Sequence, residues 1–287
     1  MIKVKELVFT YPENKEATLK KLSFEVTEGN IFGFLGPSGA GKSTTQKILY
    51  GLLKDYEGSV KIKDKEIKEW DSSIYESIGI SFELPNHYSN LTAKENLEYF
   101  STLFSRECHD VIEVLDWVGL KDDADKLVKN YSKGMKIRLN VARSLLHRPK
   151  ILFLDEPTSG LDPVNAKAIK DLILKQKENG STIFITTHNM TVADQLCDTV
   201  AFLSDGEIIV KDSPEVLKKQ HGRRYLNVSY NYGNDVISKD FPMDDLGKNK
   251  DFRKILDSNY RIDTIHSGET TLENIFIEVT GKELNNG

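Results

Sequence analysis

The run "GPSGAGKST", from Gly36 to Thr44, sets glycines, a lysine and hydroxyl side chains in the order that phosphate chemistry uses. Glycines 36, 39 and 41 let the backbone curl so that its N–H groups face an anion, with Ser38 and Ala40 completing the loop. Lys42 adds a cation for the β- and γ-phosphates, the Ser43 hydroxyl can ligate Mg²⁺, and Thr44 can reach the α-phosphate. The run fits G-x-x-x-x-G-K-[ST] and has the flanks that pattern needs. The apolar, strand-like "NIFGFLG" leads into it and the helical "KSTTQKILYGLL" leaves it. These residues predict a nucleotide site.

Two further segments could act on a phosphate held there. "ILFLDEP" ends in Asp155 and Glu156, at the carboxyl end of a buried strand, where parallel sheets present their functional groups. An aspartate there can hold Mg²⁺ through its water shell, and the adjacent glutamate can orient or deprotonate an attacking water. Alone, such a pair is more often a turn or a helix cap; the phosphate loop upstream reverses that reading. His188 closes "IFITTH". A lone strand-end histidine is usually a satisfied polar residue, but beside a strand carrying both carboxylates it can reach a γ-phosphate. A second anion seat opens in "NYSKGMKIRLNVARSL", where Ser132 and Gly134 stand at the start of an amphipathic helix.

The rest of the chain must position these groups. "IKVKELVFTY" and "LKKLSFEVTEG" alternate as half-buried antiparallel strands do, while "NIFGFLG", "KILFLDEP" and "STIFITTH" are continuous apolar runs suited to strands buried on both faces. "GSVKIKDKEI" predicts a hairpin around Asp64-Lys65, and "TVAFLSDGEIIVKD" one on Asp205-Gly206. Residues 92–147 are almost wholly helical in pattern and open on a capping box of Thr92 and Glu95. The pattern predicts a parallel α/β core with an antiparallel N-terminal patch and a helical insertion. Around Ser213-Pro214 it changes: "SPEVLKKQHG" predicts a short closing helix, with a domain boundary near residue 220. "RRYLNVSYNY", a helix near 246–257, "YRIDTIHS" and "TLENIFIEVTG" predict a small α+β appendage over 221–287.

Bulk composition narrows the class. The 287 residues suffice for one large domain and a small one, and a net charge of −5 gives no support to nucleic-acid binding. The two cysteines, Cys108 and Cys197, are too few and too far apart for a disulfide framework and suit a reducing compartment. No apolar run approaches the roughly 20 residues of a membrane helix, and "MIKVKELVFTYP" lacks the apolar core of a signal peptide. A cytoplasmic chain is expected, reaching any membrane through a partner.

The order "GPSGAGKST", "YSKGM", "ILFLDEP", "SGLD", "TTH" closely resembles the ATP-binding cassette (ABC) family, the motor subunits of ABC transporters, across residues 1–220. The resemblance implies a P-loop NTPase fold with an antiparallel β subdomain and a helical subdomain at about 92–147. It implies Mg²⁺-dependent ATP hydrolysis by two cassettes paired head to tail. Ser132 and Gly134 would then close over ATP held by the opposite subunit, and Asp162 of "SGLD" would communicate across the dimer. Lys42, Ser43 and Thr44 would bind phosphate and Mg²⁺, Asp155 would assist the metal, Glu156 would be the base and His188 the γ-phosphate sensor. Tyr11, 25 residues ahead of Gly36, stands where the family stacks an aromatic ring on adenine; an ordinary strand-end tyrosine is the other reading.

Two departures matter. "YSKGM" replaces the usual L-S-G-G-Q, so Lys133 and Met135 stand where the family has glycine and glutamine. In "ISFELPNHYSNLT", Glu83 stands where the family's loop offers glutamine; it can still ligate Mg²⁺. The ending "TTLENIFIEVTG" resembles cassettes of multidrug, antibiotic and sodium exporters. That implies an exporter's ATPase subunit, homodimeric and peripheral on the inner face of the membrane through a separate permease. The loop residues Leu84, Pro85, His87 and Tyr88 look exposed and suited to that contact. A soluble non-transport ABC ATPase and an importer cassette are the alternatives; no sustained heptad joins Gly36 to Tyr131, and only one cassette is present.

Overall fold

The computed structural model describes residues 1–222, 224–232, 235–258 and 260–282. A division between Ser213 and Pro214 separates two compact units.

In the first unit, β1 (Ile2–Phe9) pairs antiparallel with β2 (Leu19–Val26) and β4 (Glu57–Ile62), and β5 (Lys65–Glu66) adds to β4. The β4–β5 turn falls on Lys63 and Asp64, at φ 51° and 63°, one residue earlier than expected. A two-residue hairpin of this hand needs positive φ at both central residues, and Asp64 further accepts from Lys3 Nζ at 2.9 Å.

The second sheet runs in the order β10-β9-β3-β8-β7-β6. Strands β3 (Ile31–Leu35), β6 (Ile78–Ser81), β7 (Ile151–Asp155), β8 (Thr182–Thr187) and β9 (Thr199–Ser204) are parallel, with β10 (Glu207–Asp212) antiparallel at the edge. All of β3 and β8 is buried, which explains their unbroken apolar runs. Phe24 of β2 lies 5.4 Å from both Phe32 and Phe34 of β3, ring centre to ring centre, and Phe184 of β8 joins them. This aromatic core fixes the antiparallel sheet against the strand that carries the phosphate loop.

Between β6 and β7 come α2 (Ala93–Ser101), α3 (Val111–Trp117) and α4 (Lys133–Leu145). The capping box is present: Glu95 N–H donates to Thr92 Oγ1 at 3.1 Å and Thr92 N–H to Glu95 Oε2 at 2.7 Å. The segment is less continuously helical than its pattern, with short 3₁₀ turns at Lys121–Asp123 and Val128–Asn130. α1 (Lys42–Leu49) follows β3, α5 (Pro163–Glu178) follows β7, and α6 (Met190–Leu196) follows β8.

The second unit begins with α7 (Pro214–His221), so this helix, placed by the sequence pattern at the end of the first domain, groups with the appendage. β11 (Arg224–Tyr232) is flanked antiparallel by β12 (Asp235–Pro242) and β13 (Ile262–Glu269). α8 (Lys250–Asp257) covers the Val228–Phe241 side through Ile255, and α9 (Leu272–Thr280) packs on α7. The helix expected near 246–257 is in two pieces, because Asn249 ends a 3₁₀ turn and caps α8, its Oδ1 accepting from Asp251 and Phe252 N–H at 3.1 Å. β12 has no strand-like alternation in "DVISKDFP" and buries only Phe241, so its pairing to β11 comes from the sheet rather than from local pattern. Among the described residues, no helix is long and apolar enough to cross a membrane.

Candidate functional site

The phosphate loop is shaped by close packing behind it. A Cβ at Gly36 would meet the Leu203 carbonyl oxygen at 2.2 Å, and Gly41, at φ 108° on the N-cap of α1, would meet Leu19 Cδ2 at 2.6 Å. Only glycine fits either place. Lys42 is folded back across the loop, its Nζ donating to the carbonyls of Gly36 at 2.7 Å and Pro37 at 2.9 Å. Burial draws its pKa below the ordinary lysine value, while the carboxylates of Glu156, Asp155 and Glu83 oppose that shift. Gln46, one turn on in α1, donates to the Leu154 carbonyl at 3.2 Å and so ties the loop's helix to β7.

β7 and β8 lie side by side with Asp155 opposite Thr186, so the Thr186 hydroxyl donates to Asp155. Burial lifts the Asp155 pKa above the usual carboxylate range; hydrogen bonds from Thr186 and Ser43 work against this, and the charges of Glu83 and Glu156 add to it. The next residue turns away. Glu156 has φ 48°, a left-handed backbone unusual for a glutamate, of the kind that gathers at functional sites. Its carboxylate is only 8% exposed at residue level and fully engaged. Thr187 Oγ1 donates to Oε2 at 2.9 Å, the His188 backbone N–H donates to Oε1 at 2.8 Å, and His188 Nδ1 lies 2.6 Å from the same oxygen.

These groups share one cleft of about 480 Å³. Ser38, Gly39, Gly41 and Lys42–Thr44 form one wall, Asp155, Glu156 and His188 another, and Glu83 reaches in from the loop after β6. Gly36 and Ala40 shape the loop without lining the cleft, and Tyr11 stands beside it, its hydroxyl 3.2 Å from Thr44 Oγ1. Ser159 also lines the cleft and was not singled out from the sequence, although it opens the quoted "SGLD". Its N–H donates to the Glu156 carbonyl at 3.1 Å, so the turn that follows the carboxylates returns it to them.

Ser132, Gly134 and Asp162 do not line this cleft. Ser132 caps α4, accepting from Met135 N–H at 3.2 Å. A Cβ on Gly134 would lie 3.4 Å from Leu161 Cδ2, so the "YSKGM" helix start adjoins the "SGLD" turn of its own chain. Asp162 caps α5, its Oδ1 accepting from Val164 and Asn165 N–H at 3.0 Å. Beyond Glu83, Leu84 and Tyr88 are exposed as expected, at 78% and 50%. His87 is not: its ring turns inward, Nε2 lies 3.0 Å from the Lys136 carbonyl, and burial pushes its pKa down to about 4.

Comparison with known proteins follows the same division of the chain. The family profile described as "ABC transporter" matches residues 19–159, and one described as "Fluoroquinolone efflux ABC transporter C-terminal domain" matches residues 224–269. A fluoroquinolones export ATP-binding protein of Mycobacterium tuberculosis (strain ATCC 25618 / H37Rv) is 51% identical over 285 residues, covering 99% of this chain and 94% of that protein. A bacitracin transport ATP-binding protein of Bacillus licheniformis is 38% identical over 239 residues, covering 83% of this chain and 77% of its own length. Among solved structures, a dimeric post-hydrolysis state of an ATP-binding cassette bound to ADP and Pi superposes with a TM-score of 0.69. It is 29% identical and covers 74% of this chain and 98% of its own.

Proposed function

Because this chain belongs to the ABC transporter family of ATP-binding subunits, we propose that its Gly36–Thr44 cleft binds Mg²⁺-ATP and that Glu156 activates the attacking water. The chain is an ABC ATPase of the exporter type. The observation that carries the site assignment is the meeting of Lys42, Asp155, Glu156 and His188 in one cleft, from the start of α1 and the carboxyl ends of β7 and β8, which are far apart in sequence.

The residues suit the metal as well. Among the described residues no three His, Cys, Asp or Glu side chains form a metal cluster by themselves. A Mg²⁺ ion commonly takes one or two protein oxygens and completes its shell with phosphates and water. Ser43 and Asp155 would hold it, with Glu83 beside them; burial, with Glu83 and Glu156 adding to it, raises the Asp155 pKa, a cost that a divalent cation would offset. When bound, the ion neutralises charge on the β- and γ-phosphates. Lys42 exchanges its two carbonyl partners for phosphate oxygens. Glu156, aimed by Thr187 and His188, orients the water and takes its proton. Tyr11, hydrogen-bonded to Thr44, would stack on the adenine ring.

Ser132, Gly134 and Asp162, outside their own chain's cleft, would complete the site of a second copy, an arrangement supported by the dimeric cassette that this chain resembles. A groove of about 390 Å³ beside the Glu83 loop would receive a short cytoplasmic helix of a separate membrane subunit. The 51% identity to a fluoroquinolones export ATP-binding protein supports a drug of that class as cargo, handled by the membrane subunit. Co-expression with that subunit in a fluoroquinolone-sensitive host should raise drug tolerance with the wild-type chain and not with Glu156→Gln. Equal tolerance with both would overturn ATP-driven export.

A further inference from the structure

The groove beside the Glu83 loop is walled mostly by apolar and aromatic side chains, yet Arg143 is built into it. Arg143 lies in the last turn of α4 and has only neutral partners. One nitrogen, Nη1, donates to the Asn86 carbonyl at 2.7 Å, and Nη2 donates to Asn140 Oδ1 at 2.7 Å. The guanidinium lies over the Phe100 ring, 4.6 Å from its centre. Among the described residues, none of the groove's lining side chains is acidic. Burial lowers the Arg143 pKa to about 10 with no carboxylate opposing it, which still leaves the group charged at neutral pH.

A cation withdrawn from water without a counter-ion is costly, and the cost persists until an anion arrives. The two neutral acceptors and the Phe100 face relieve it in part, and no anion among the described lining residues does so. His87 is held neutral by burial, with the charges of Arg143 and Lys136 depressing it further, and His147 is likewise held neutral in a stack on Phe104 at 3.9 Å. The wall therefore offers one fixed positive charge inside an aromatic slot that is open on one side.

We propose that the membrane-subunit helix seated in this groove carries a carboxylate that pairs with Arg143, next to an apolar side chain packed against Phe82 and Phe104. This rests on the docking reading given above. A planar guanidinium matches a carboxylate in two parallel hydrogen bonds, and a lysine would keep the charge of that pair without its geometry. The pairing also discriminates between partners, because a helix with a basic residue at that place meets like charge in a desolvated slot.

The test uses the full chain co-expressed with its membrane subunit and purified as a complex. Arg143→Glu should cut co-purification at least tenfold, Arg143→Gln should cut it less, and Arg143→Lys should retain most of it. Reversing each Asp and Glu in the membrane subunit's cytoplasmic loops to Lys, one at a time, should find one that restores assembly with Arg143→Glu. ATP binding and the thermal midpoint of each isolated variant establish folding. If Arg143→Glu does not fold, Arg143→Gln carries the test: neutralising those carboxylates one at a time should find one whose loss weakens the wild-type complex and costs nothing further beside Arg143→Gln. A role confined to bracing Asn86 and Asn140 would be damaged by Arg143→Lys too and would not be rescued by charge reversal. Normal assembly of both the Glu and Gln variants, or no rescuing carboxylate, overturns the proposal. A cysteine at Tyr88 separates the two readings. Cross-linking to the membrane subunit with Arg143 variants assembling normally removes the acidic partner alone, whereas cross-linking only to soluble proteins removes the docking groove itself.

Discussion

His188 meets Glu156 twice on one oxygen, its backbone N–H at 2.8 Å and its ring Nδ1 at 2.6 Å from Oε1. A carboxylate only accepts, so Nδ1 is the donor and Nε2 is left as the edge directed elsewhere. Thr187 holds the other oxygen at 2.9 Å. The proposed base and γ-phosphate sensor are thus one hydrogen-bonded unit, supplied by the residues that directly follow two neighbouring strands. The left-handed backbone at Glu156 is what turns its side chain away from Asp155 and toward His188.

His188→Ala should therefore lower kcat by about 10²-fold with a smaller change in KM, since general-base positioning contributes about 10²–10⁴. Thr187→Val, which keeps its volume but loses the bond to Glu156 and the one that Oγ1 accepts from Asn189 N–H at 3.0 Å, should cost about tenfold, on the scale of a hydrogen bond to a charged group. Steady-state kinetics with saturating Mg²⁺-ATP give the comparison. Unchanged kcat in His188→Ala would reduce the contact to packing.

Lys42→Ala should abolish measurable hydrolysis, because the loop loses the one cation that reaches the phosphates, a loss on the order of 10²–10³ or more for an electrostatic stabiliser. The fold should survive, since Lys42 Nζ bonds only loop carbonyls of Gly36 and Pro37. Turnover at the wild-type rate in this variant would remove the assignment of the cleft.

Glu83 stands with Asp155 near Lys42 and adds to the burial that raises the Asp155 pKa. Glu83→Gln should weaken apparent Mg²⁺ affinity roughly tenfold, the size of effect seen when an outer partner of a metal site is lost. A Mg²⁺ titration of ATPase rate reads it directly. An unchanged Mg²⁺ midpoint would place Glu83 in the cleft wall with no part in metal binding.

His87 links the same loop to acid stability. Its folded pKa, about 4, lies below the ordinary value of 6.5, so the neutral ring is what the folded chain holds. The contribution is complete above pH 6.5 and is lost as pH falls through 4, because the unfolded state takes up the proton first. A shift of that size corresponds to about 3 kcal/mol at full expression. Asp155, shifted upward, works in the opposite direction, so the comparison is made against His87→Gln, whose amide can still donate to the Lys136 carbonyl. Between pH 6.5 and 4, urea-unfolding stability should fall more steeply in the wild type than in the variant. Parallel curves would count against the buried neutral ring.

Legibility followed how local each signal was. The phosphate loop, Asp155, Glu156 and His188 were readable because each ends an apolar strand, and a parallel sheet carries such ends to one edge. Thr186 and Thr187 were not, since their role depends on the register of β7 against β8. The inward turn of His87 was hidden for a similar reason. Its partner is a carbonyl on α4, 49 residues away. β12 was missed because "DVISKDFP" buries one residue and is held by pairing alone.

The seat at Ser132 and Gly134 makes the most demanding prediction, because in a single chain it faces no phosphate loop. If it closes over the nucleotide of a second copy, association and ATP binding are linked. Glu156→Gln removes the base and keeps the side-chain volume, so it should sediment as a dimer with ATP and as a monomer with ADP. Adding Gly134→Asp should return it to monomer. The glycine has space, its nearest neighbour for a Cβ being Leu161 Cδ2 at 3.4 Å, so the effect is charge against the γ-phosphate rather than misfolding. ATP should still bind each chain through its own loop, measured by a fluorescent analogue. A mixture of Lys42→Ala and Gly134→Asp chains should keep one composite site and about half the hydrolysis per dimer that forms. Retained dimerisation and hydrolysis in Gly134→Asp would mean that Ser132 caps α4 and does nothing more, and that the cleft works within one chain.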